Sequence, residues 1–231
     1  MAVKAVIFDL FGTLIHDKFS SLNHPDFLSG MAARLKLKDE EFAPLWHGSY
    51  FDRTKGKFST LQENVIWVGE RLGRVFDSTA IDEAVSLVME ATQQSFIPRR
   101  QALAVLSLIG RMGYKTGLIS DCGPAVPLIW NETPFAPLFD ATAFSCKEGM
   151  KKPNPKFFQL ILDRLGVQGP DCLYVGDGNG NELEGAKALG MNTALIWSLI
   201  DPDEPERLVL KDWDGMTLVS LTEVVELLRD L

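Results

Sequence analysis

Apolar positions along the chain follow two patterns that take turns. Ala5–Phe8 (AVIF), Lys115–Ser120 (KTGLIS) and Cys172–Gly176 (CLYVG) are short, largely apolar runs without polar alternation. Such runs suit strands buried on both faces of a parallel sheet. Elsewhere apolar residues recur at helical spacing. Phe27, Leu28, Met31, Leu35 and Leu37 mark one helix over Pro25–Leu37, and Asp39–Phe51 is a second, less regular candidate. Ser59 and Gln62 form a capping-box pair at the head of a third, which carries Leu61, Val65, Ile66, Val68 and Leu72. Ser78 or Thr79 opens a fourth. From Pro98 onward the two patterns alternate. A helix over Arg99–Met112 precedes the Lys115–Ser120 strand, and Ala141–Ser145 is a further strand. Asn154 and Pro155 cap a helix ahead of Cys172–Gly176, and a helix over Glu182–Leu189 leads to a strand at Asn192–Trp197. A last strand–helix pair lies near Thr217–Leu231. The pattern predicts an α/β fold, a doubly wound and mostly parallel sheet, formed by residues 1–17 and 97–231. Residues 18–96 form an inserted helical domain.

The strand-like runs end on chemistry. The first stops at Asp9, followed by the turn residues Gly12 and Thr13, the second at Ser120–Asp121, and the third at Asp177. In open α/β sheets ligands bind just beyond the carboxyl ends of the strands, so these positions converge on one candidate site. Lys151 and Lys152 stand at a rigid turn, Pro153-Asn154-Pro155. Together these supply a carboxylate nucleophile, a hydroxyl donor, a cation and a second carboxylate. The Gly176–Glu182 stretch (GDGNGNE) also approaches two other motifs. As a calcium loop it fails because Glu182 stands where glycine is needed and Ala188 where the closing Glu belongs. As a dinucleotide loop it fails because Asn181 replaces the third glycine.

With DLFGTL (Asp9–Leu14), LIS (Leu118–Ser120), KKPNP (Lys151–Pro155) and VGDGNGNE (Val175–Glu182) in this order, the chain resembles the haloacid dehalogenase-like hydrolases over nearly its whole length. The resemblance implies a sheet order 3-2-1-4-5 with Asp9 on the central strand, and makes the inserted helices a cap that closes over the strand ends and selects substrate. It implies that Asp9 attacks phosphorus to form an aspartyl-phosphate. Mg²⁺ would be held by Asp9, the Phe11 backbone carbonyl, Asp177 and Glu182. Ser120 would donate to the phosphate, with Gly12, Thr13 and Asp121 beside it, and Lys152 would balance charge. Lys151 reads as a surface neighbour. The cap aromatics, Phe42, Trp46, Tyr50, Phe51, Phe58 and Trp67, read mostly as bundle core, and the cations Arg53, Lys55 and Lys57 as a solvated loop ahead of the alternative, a substrate clamp.

Composition narrows the partners. Apolar residues make up 46% and charged residues 23%, ordinary for a soluble globular protein. A formal net charge of −8 argues against non-specific nucleic-acid binding, which needs clustered Lys and Arg. No apolar run has bilayer-spanning length, and the N-terminus lacks a secretory pattern, so no membrane partner is expected. Three cysteines, Cys122, Cys146 and Cys172, are odd in number and widely spaced, which predicts a reduced, cytoplasmic setting. Cys122 reads as a small residue in a tight loop. Asp201–Glu206, acidic and proline-rich, reads as a solvated loop.

One residue does not fit. Phosphatases of the resembled family usually carry a second Asp two positions after the nucleophile, to protonate the leaving oxygen and activate water. Here that position is Phe11. Three readings stay open. The protein is a phosphatase of a small phosphomonoester that is slow, acts on a good leaving group or uses His16 or Asp17 as a surrogate acid. Alternatively it follows the 2-haloacid dehalogenase branch, in which Asp attacks carbon and a departing halide needs no proton. Against that, the branch usually reads Ser-Asn-Gly where this chain has Ser120–Asp121–Cys122. Or it is a binding or regulatory protein with little turnover.

Overall fold

The computed structural model describes residues 3–16, 21–196 and 213–230. Six strands form one parallel sheet: β1 (Ala5–Phe8), β2 (Lys115–Ser120), β3 (Ala141–Phe144), β4 (Cys172–Gly176), β5 (Asn192–Ile196) and β6 (Met216–Leu218). Their order is β3-β2-β1-β4-β5-β6, the expected arrangement with β6 added at the edge. The register aligns Phe8 with both Leu118 and Val175, so the ends of the three central strands lie side by side. Asp9 and Asp177 each follow the last residue of adjacent strands.

The unbroken apolar runs have a simple cause. Val6 and Phe8 pack on one face against Val105, Leu106, Ile109, Val224 and Leu228 of helices α6 (Ala102–Arg111) and α11 (Thr222–Asp230). Ala5 and Ile7 pack on the other face against Phe157, Ile161, Leu165 and Ala186 of α9 (Pro155–Leu165) and α10 (Glu182–Lys187). Both faces are covered, so every residue of β1 and β4 is buried. Each large apolar side chain placed there stabilises the fold by about 1.5–3 kcal/mol. Two short helices, α7 (Ala125–Ile129) and α8 (Ser145–Glu148), follow β2 and β3 at the same end of the sheet as Asp9.

Between β1 and α6 stand α1 (Pro25–Arg34), α2 (Asp39–Gly48), α3 (Tyr50–Thr54), α4 (Leu61–Arg71) and α5 (Ser78–Ser95). They share their own core, including Phe27, Met31, Phe42, Trp46, Val65 and Val88, which Ala125 of α7 joins. Two helix starts differ from the sequence reading by one residue. Thr60, not Ser59, caps α4, its hydroxyl accepting from Glu63 N while Glu63 accepts from Ser59 N at 2.6 Å. Asp77, not Ser78 or Thr79, caps α5 by accepting from Ala80 N at 2.9 Å. In both cases a neighbouring oxygen reaches the helix's free N–H groups equally well, which sequence spacing does not resolve. The single helix expected over Asp39–Phe51 is two, interrupted at Ser49. The turn after α3 seats directly on α8. Gly56 has φ +72°, and a Cβ there would overlap the Cys146 carbonyl oxygen. No described helix is long and apolar enough to cross a membrane.

Candidate active site

β1 delivers Asp9 to the sheet end, where its N–H donates to Val175 O at 3.0 Å. That bond ties Asp9 to the strand that carries Asp177. The chain then turns back on itself: Gly12, at φ +73°, donates to Ile15 O at 2.9 Å, and Thr13 N–H donates to Leu10 O at 3.3 Å. The turn places the Thr13 hydroxyl 3.3 Å from Asp9 Oδ2. The backbone donors of Gly12 and Thr13 are thus engaged within the turn.

Lys152 arrives from the loop before α9, its peptide bond to Pro153 being cis. Its Nζ lies 2.5 Å from Asp9 Oδ1 and also donates to Glu182 Oε2. Glu182 is fully buried and accepts twice more, from Tyr174 Oη at 2.8 Å and from Gly178 N at 3.0 Å. Gly176 makes room for it, since a Cβ there would lie 2.7 Å from Glu182 Cδ. Asp177 is held by the Asn179 backbone N–H and side-chain amide at 3.0 and 2.9 Å.

The charges are arranged in a low-dielectric setting. Burial raises the Asp9 carboxyl well above the usual carboxylate range, opposed by Lys152 and reinforced by Glu182 and Asp177. Burial raises Glu182 as well, again against Lys152. Burial alone would depress Lys152, but the attraction of Asp9 and Glu182 outweighs it and holds the ammonium protonated. Oxygens of Asp9, Asp177 and Glu182 lie within 4.8 Å of one another. Three hard oxygen donors in that space suit a divalent cation such as Mg²⁺, whose charge would offset the burial and the mutual repulsion that raise Asp9.

Ser120 closes β2 with a buried Oγ that has no hydrogen-bond partner among the described residues. The neighbouring Cys122 thiol is too weak a partner to satisfy it. A buried hydroxyl in that condition is a donor awaiting an acceptor. Asp121 Oδ1 accepts from Lys152 N at 3.0 Å and so fixes the lysine's backbone. Cys122 is buried beside it, its thiol raised by burial.

Asp9, Asp121, Cys122 and Lys152 open on a cavity of about 400 Å³ between the sheet end and the inserted helices. Asp9, Phe11, Asp121 and Lys152 line it from the sheet side, and Trp46, Arg53, Val88 and Thr92 from the helical side. Phe11 therefore stands in the cavity wall and supplies no proton. His16 is not among the lining residues, and Asp17 and Asp201–Glu206 lie outside the described residues.

Two sequence expectations are overturned here. Lys151 is not a surface neighbour: it lines the cavity, 3.6 Å from Asp121 Oδ2 and 4.9 Å from the Phe51 ring centre. Arg53 is not part of a solvated loop, being only 5% exposed. Helical folding through Tyr50–Thr54 turns it inward, away from Lys55 and Lys57, which the charge run alone did not distinguish. Tyr174 was missed because an aromatic inside an apolar strand reads as packing. Only its hydroxyl, aimed at Glu182, marks it as part of the site.

Comparison with known proteins gives a consistent family. The model of the haloacid dehalogenase-like hydrolase family matches residues 3–190. A glyceraldehyde 3-phosphate phosphatase of Methanocaldococcus jannaschii is 25% identical over a 234-residue alignment that spans 99% of this chain and 98% of that protein. Among solved structures, a 2-haloacid dehalogenase from Pseudomonas syringae superposes with a TM-score of 0.73 at 19% identity, covering 99% of both chains. An HAD phosphatase from Thermococcus onnurineus superposes at 0.67, also with 19% identity and 98% coverage of each chain. The two structures share the fold with this chain.

Proposed function

The chain belongs to the haloacid dehalogenase-like hydrolases, and from that premise we propose that it is a Mg²⁺-dependent phosphatase of a small phosphomonoester, working through an intermediate on Asp9. The observation that carries this reading is the buried cluster in which Lys152 bridges Asp9 and Glu182 while Asp177 stands within 4.8 Å. Displacement at an anionic phosphorus by a carboxylate needs concentrated positive charge, which Lys152 would supply and the carboxylates would hold as a bound cation. Mg²⁺ bound by Asp9 and Asp177, with Glu182 behind them, would screen the phosphate's charge and orient it.

The chain's own residues would act as follows. An Asp9 oxygen attacks phosphorus, a P–O bond forms to the carboxylate, and the bond to the leaving alkoxide breaks. Ser120 donates to a non-bridging phosphate oxygen, and Lys152 stays protonated between the two carboxylates. Water then attacks phosphorus, releases inorganic phosphate and restores the Asp9 carboxylate. With Phe11 in the wall, the alkoxide takes its proton from solvent, and no side chain at that position activates the water. Absence of that general acid–base costs about 10²–10⁴ in rate, least for esters whose leaving group is already a weak base. The inserted helices act as the cap that excludes bulk water.

The dehalogenase reading is favoured by one observation, Phe11 in the cavity, because a halide leaves without a proton. The acidic cluster speaks against it, since a haloacid brings its own carboxylate to a site already crowded with them. Assaying phosphate release from phosphomonoesters with Mg²⁺ and with chelator, beside halide release from 2-haloacids, separates the two. Phosphate release that disappears with chelator and in Asp9→Asn is expected. Metal-indifferent halide release overturns the proposal, and silence in both assays returns the chain to a binding role.

A further inference from the structure

Arg53 has no role in the chemistry above, yet its surroundings are unusual for a cation. It is 5% exposed on the cap wall of the cavity, and its guanidinium carbon lies 4.2 Å from the centre of the Trp46 ring. Its hydrogen bonds all run through Nη1 to neutral acceptors: Trp46 O at 2.7 Å, Ser49 Oγ, and Asn64 Oδ1 at 3.4 Å. Asn64 Nδ2 in turn donates to Ser49 Oγ at 3.3 Å, so the acceptors brace one another. Among the described residues no carboxylate pairs with it. Burial pushes it down to about 10, which still leaves it cationic at neutral pH.

A buried guanidinium without a counter-ion is costly, and such groups are ordinarily paired. The other two cations on the cavity are committed: Lys152 to Asp9 and Glu182, and Lys151 to Asp121 and the Phe51 ring. Arg53 is also close to the catalytic loop. Its Cβ lies 4.0 Å from where a Cβ on Gly123 would stand, just past Ser120–Asp121–Cys122. The rest of the helical wall mixes apolar residues, among them Leu22, Leu61 and Val88, with the neutral polar side chains of Asn23, Tyr50 and Thr92.

We propose that Arg53 determines specificity by taking the carboxylate of the substrate's alcohol portion, so that the site favours a phosphomonoester of a short hydroxy acid. The proposal rests on the phosphatase reading. One guanidinium matches the single charge and planar oxygens of a carboxylate, through a two-bond fork. A second phosphate dianion would call for more cations than this wall provides. The nearness of Arg53 to the loop after Ser120 calls for few carbons between the two groups, with the phosphate at Asp9 and the carboxylate under the cap.

Binding rather than turnover tests it. Calorimetric titration of the Mg²⁺-loaded protein with 3-phosphonopropionate and with propylphosphonate compares a carboxylate with a methyl group on otherwise matched, non-hydrolysable ligands. The carboxylate ligand is expected to bind about 30-fold tighter or more. Arg53→Met should erase that preference while leaving propylphosphonate binding within about threefold, and Arg53→Lys should retain part of it. Equal binding of the two ligands by the unmodified protein overturns the proposal even if Arg53→Met fails to fold, and so does a preference that survives in Arg53→Met. Phosphate release is read separately. Release from esters without the binding preference removes Arg53's role and keeps the phosphatase. The preference without release removes the phosphatase and leaves a carboxylate-reading anion site.

Discussion

Replacing Lys152 by Met should expose how the site is held together. The ammonium lies 2.5 Å from Asp9 Oδ1 and also bonds Glu182, with side-chain exposures of 4%, 7% and 0% for Lys152, Asp9 and Glu182. Removing it leaves two buried carboxylates facing each other, with an Asp177 oxygen within 4.8 Å. Losing one partner of a buried charge pair typically costs about 3–5 kcal/mol, because the remaining charge is stranded. For a chain of this size each kcal/mol shifts the midpoint by about 2–4 °C, so Lys152→Met should melt about 6–20 °C lower in chelator. The sign of its pH dependence follows from the direction of the shifts. Burial already raises Asp9 and Glu182; without Lys152 its main opponent is gone at both, leaving only the Tyr174 hydrogen bond to favour the Glu182 carboxylate. A carboxyl raised in the folded state contributes stability below its unfolded value, and loses that contribution as pH rises through the folded one. The deficit should therefore be largest at neutral pH and shrink on acidification. Lys152→Met/Glu182→Gln should recover a large part of it, since one of the two carboxylates that lost the ammonium is then neutral. Urea unfolding at neutral and acidic pH, with chelator and then with Mg²⁺, measures all of this. A Lys152→Met protein within about 1 kcal/mol of the parent at neutral pH, or a deficit independent of pH, would refute the reasoning.

Three further outcomes follow from the same contacts. Tyr174→Phe removes the 2.8 Å donor to Glu182 and should cost about 1.5–3 kcal/mol in urea unfolding, and a cost near zero would show that Lys152 and Gly178 suffice. Gly56→Ala forces a side chain against the Cys146 carbonyl at φ +72°, so amide exchange in α3 and α8 should accelerate, while unchanged exchange would place the cap contact elsewhere. Alkylation of the native protein should reach Cys146 first. Its thiol is lowered by a hydrogen bond from Cys122 and is partly exposed, whereas burial raises Cys122, and pushes Cys172 up to about 12. Peptide mapping that found Cys172 modified first would contradict that order.

The fold was legible because both faces of β1 and β4 are covered, which writes itself into the chain as unbroken apolar runs. The carboxylates and hydroxyl at the strand ends were legible for a related reason, since a parallel sheet brings sequence-distant strand ends into one line. What joins them was not. Nothing in the spacing of Asp9, Lys152 and Glu182 says that a single ammonium bridges both carboxylates, or that Tyr174 supports it from inside a strand. Arg53 was misread because a local charge run carries no information about which member a short helix turns inward. Lys151 was misread in the same way. The placing of Arg53 and Lys151 depends on how the inserted helices seat against the sheet end, a tertiary relation with little local signature.

The central claim is that Asp9 becomes covalently phosphorylated, and Phe11 makes that step observable. An aryl phosphate needs little help from an acid, so the first step should run ahead, while unassisted water should make the second step slow. Rapid mixing with p-nitrophenyl phosphate and Mg²⁺, followed by acid quench and peptide mass mapping, should show a burst of nitrophenol and a phosphoryl group on Asp9. A protein that releases phosphate with no burst and no phosphorylated Asp9, or that carries the phosphoryl group on another side chain, would contradict the account.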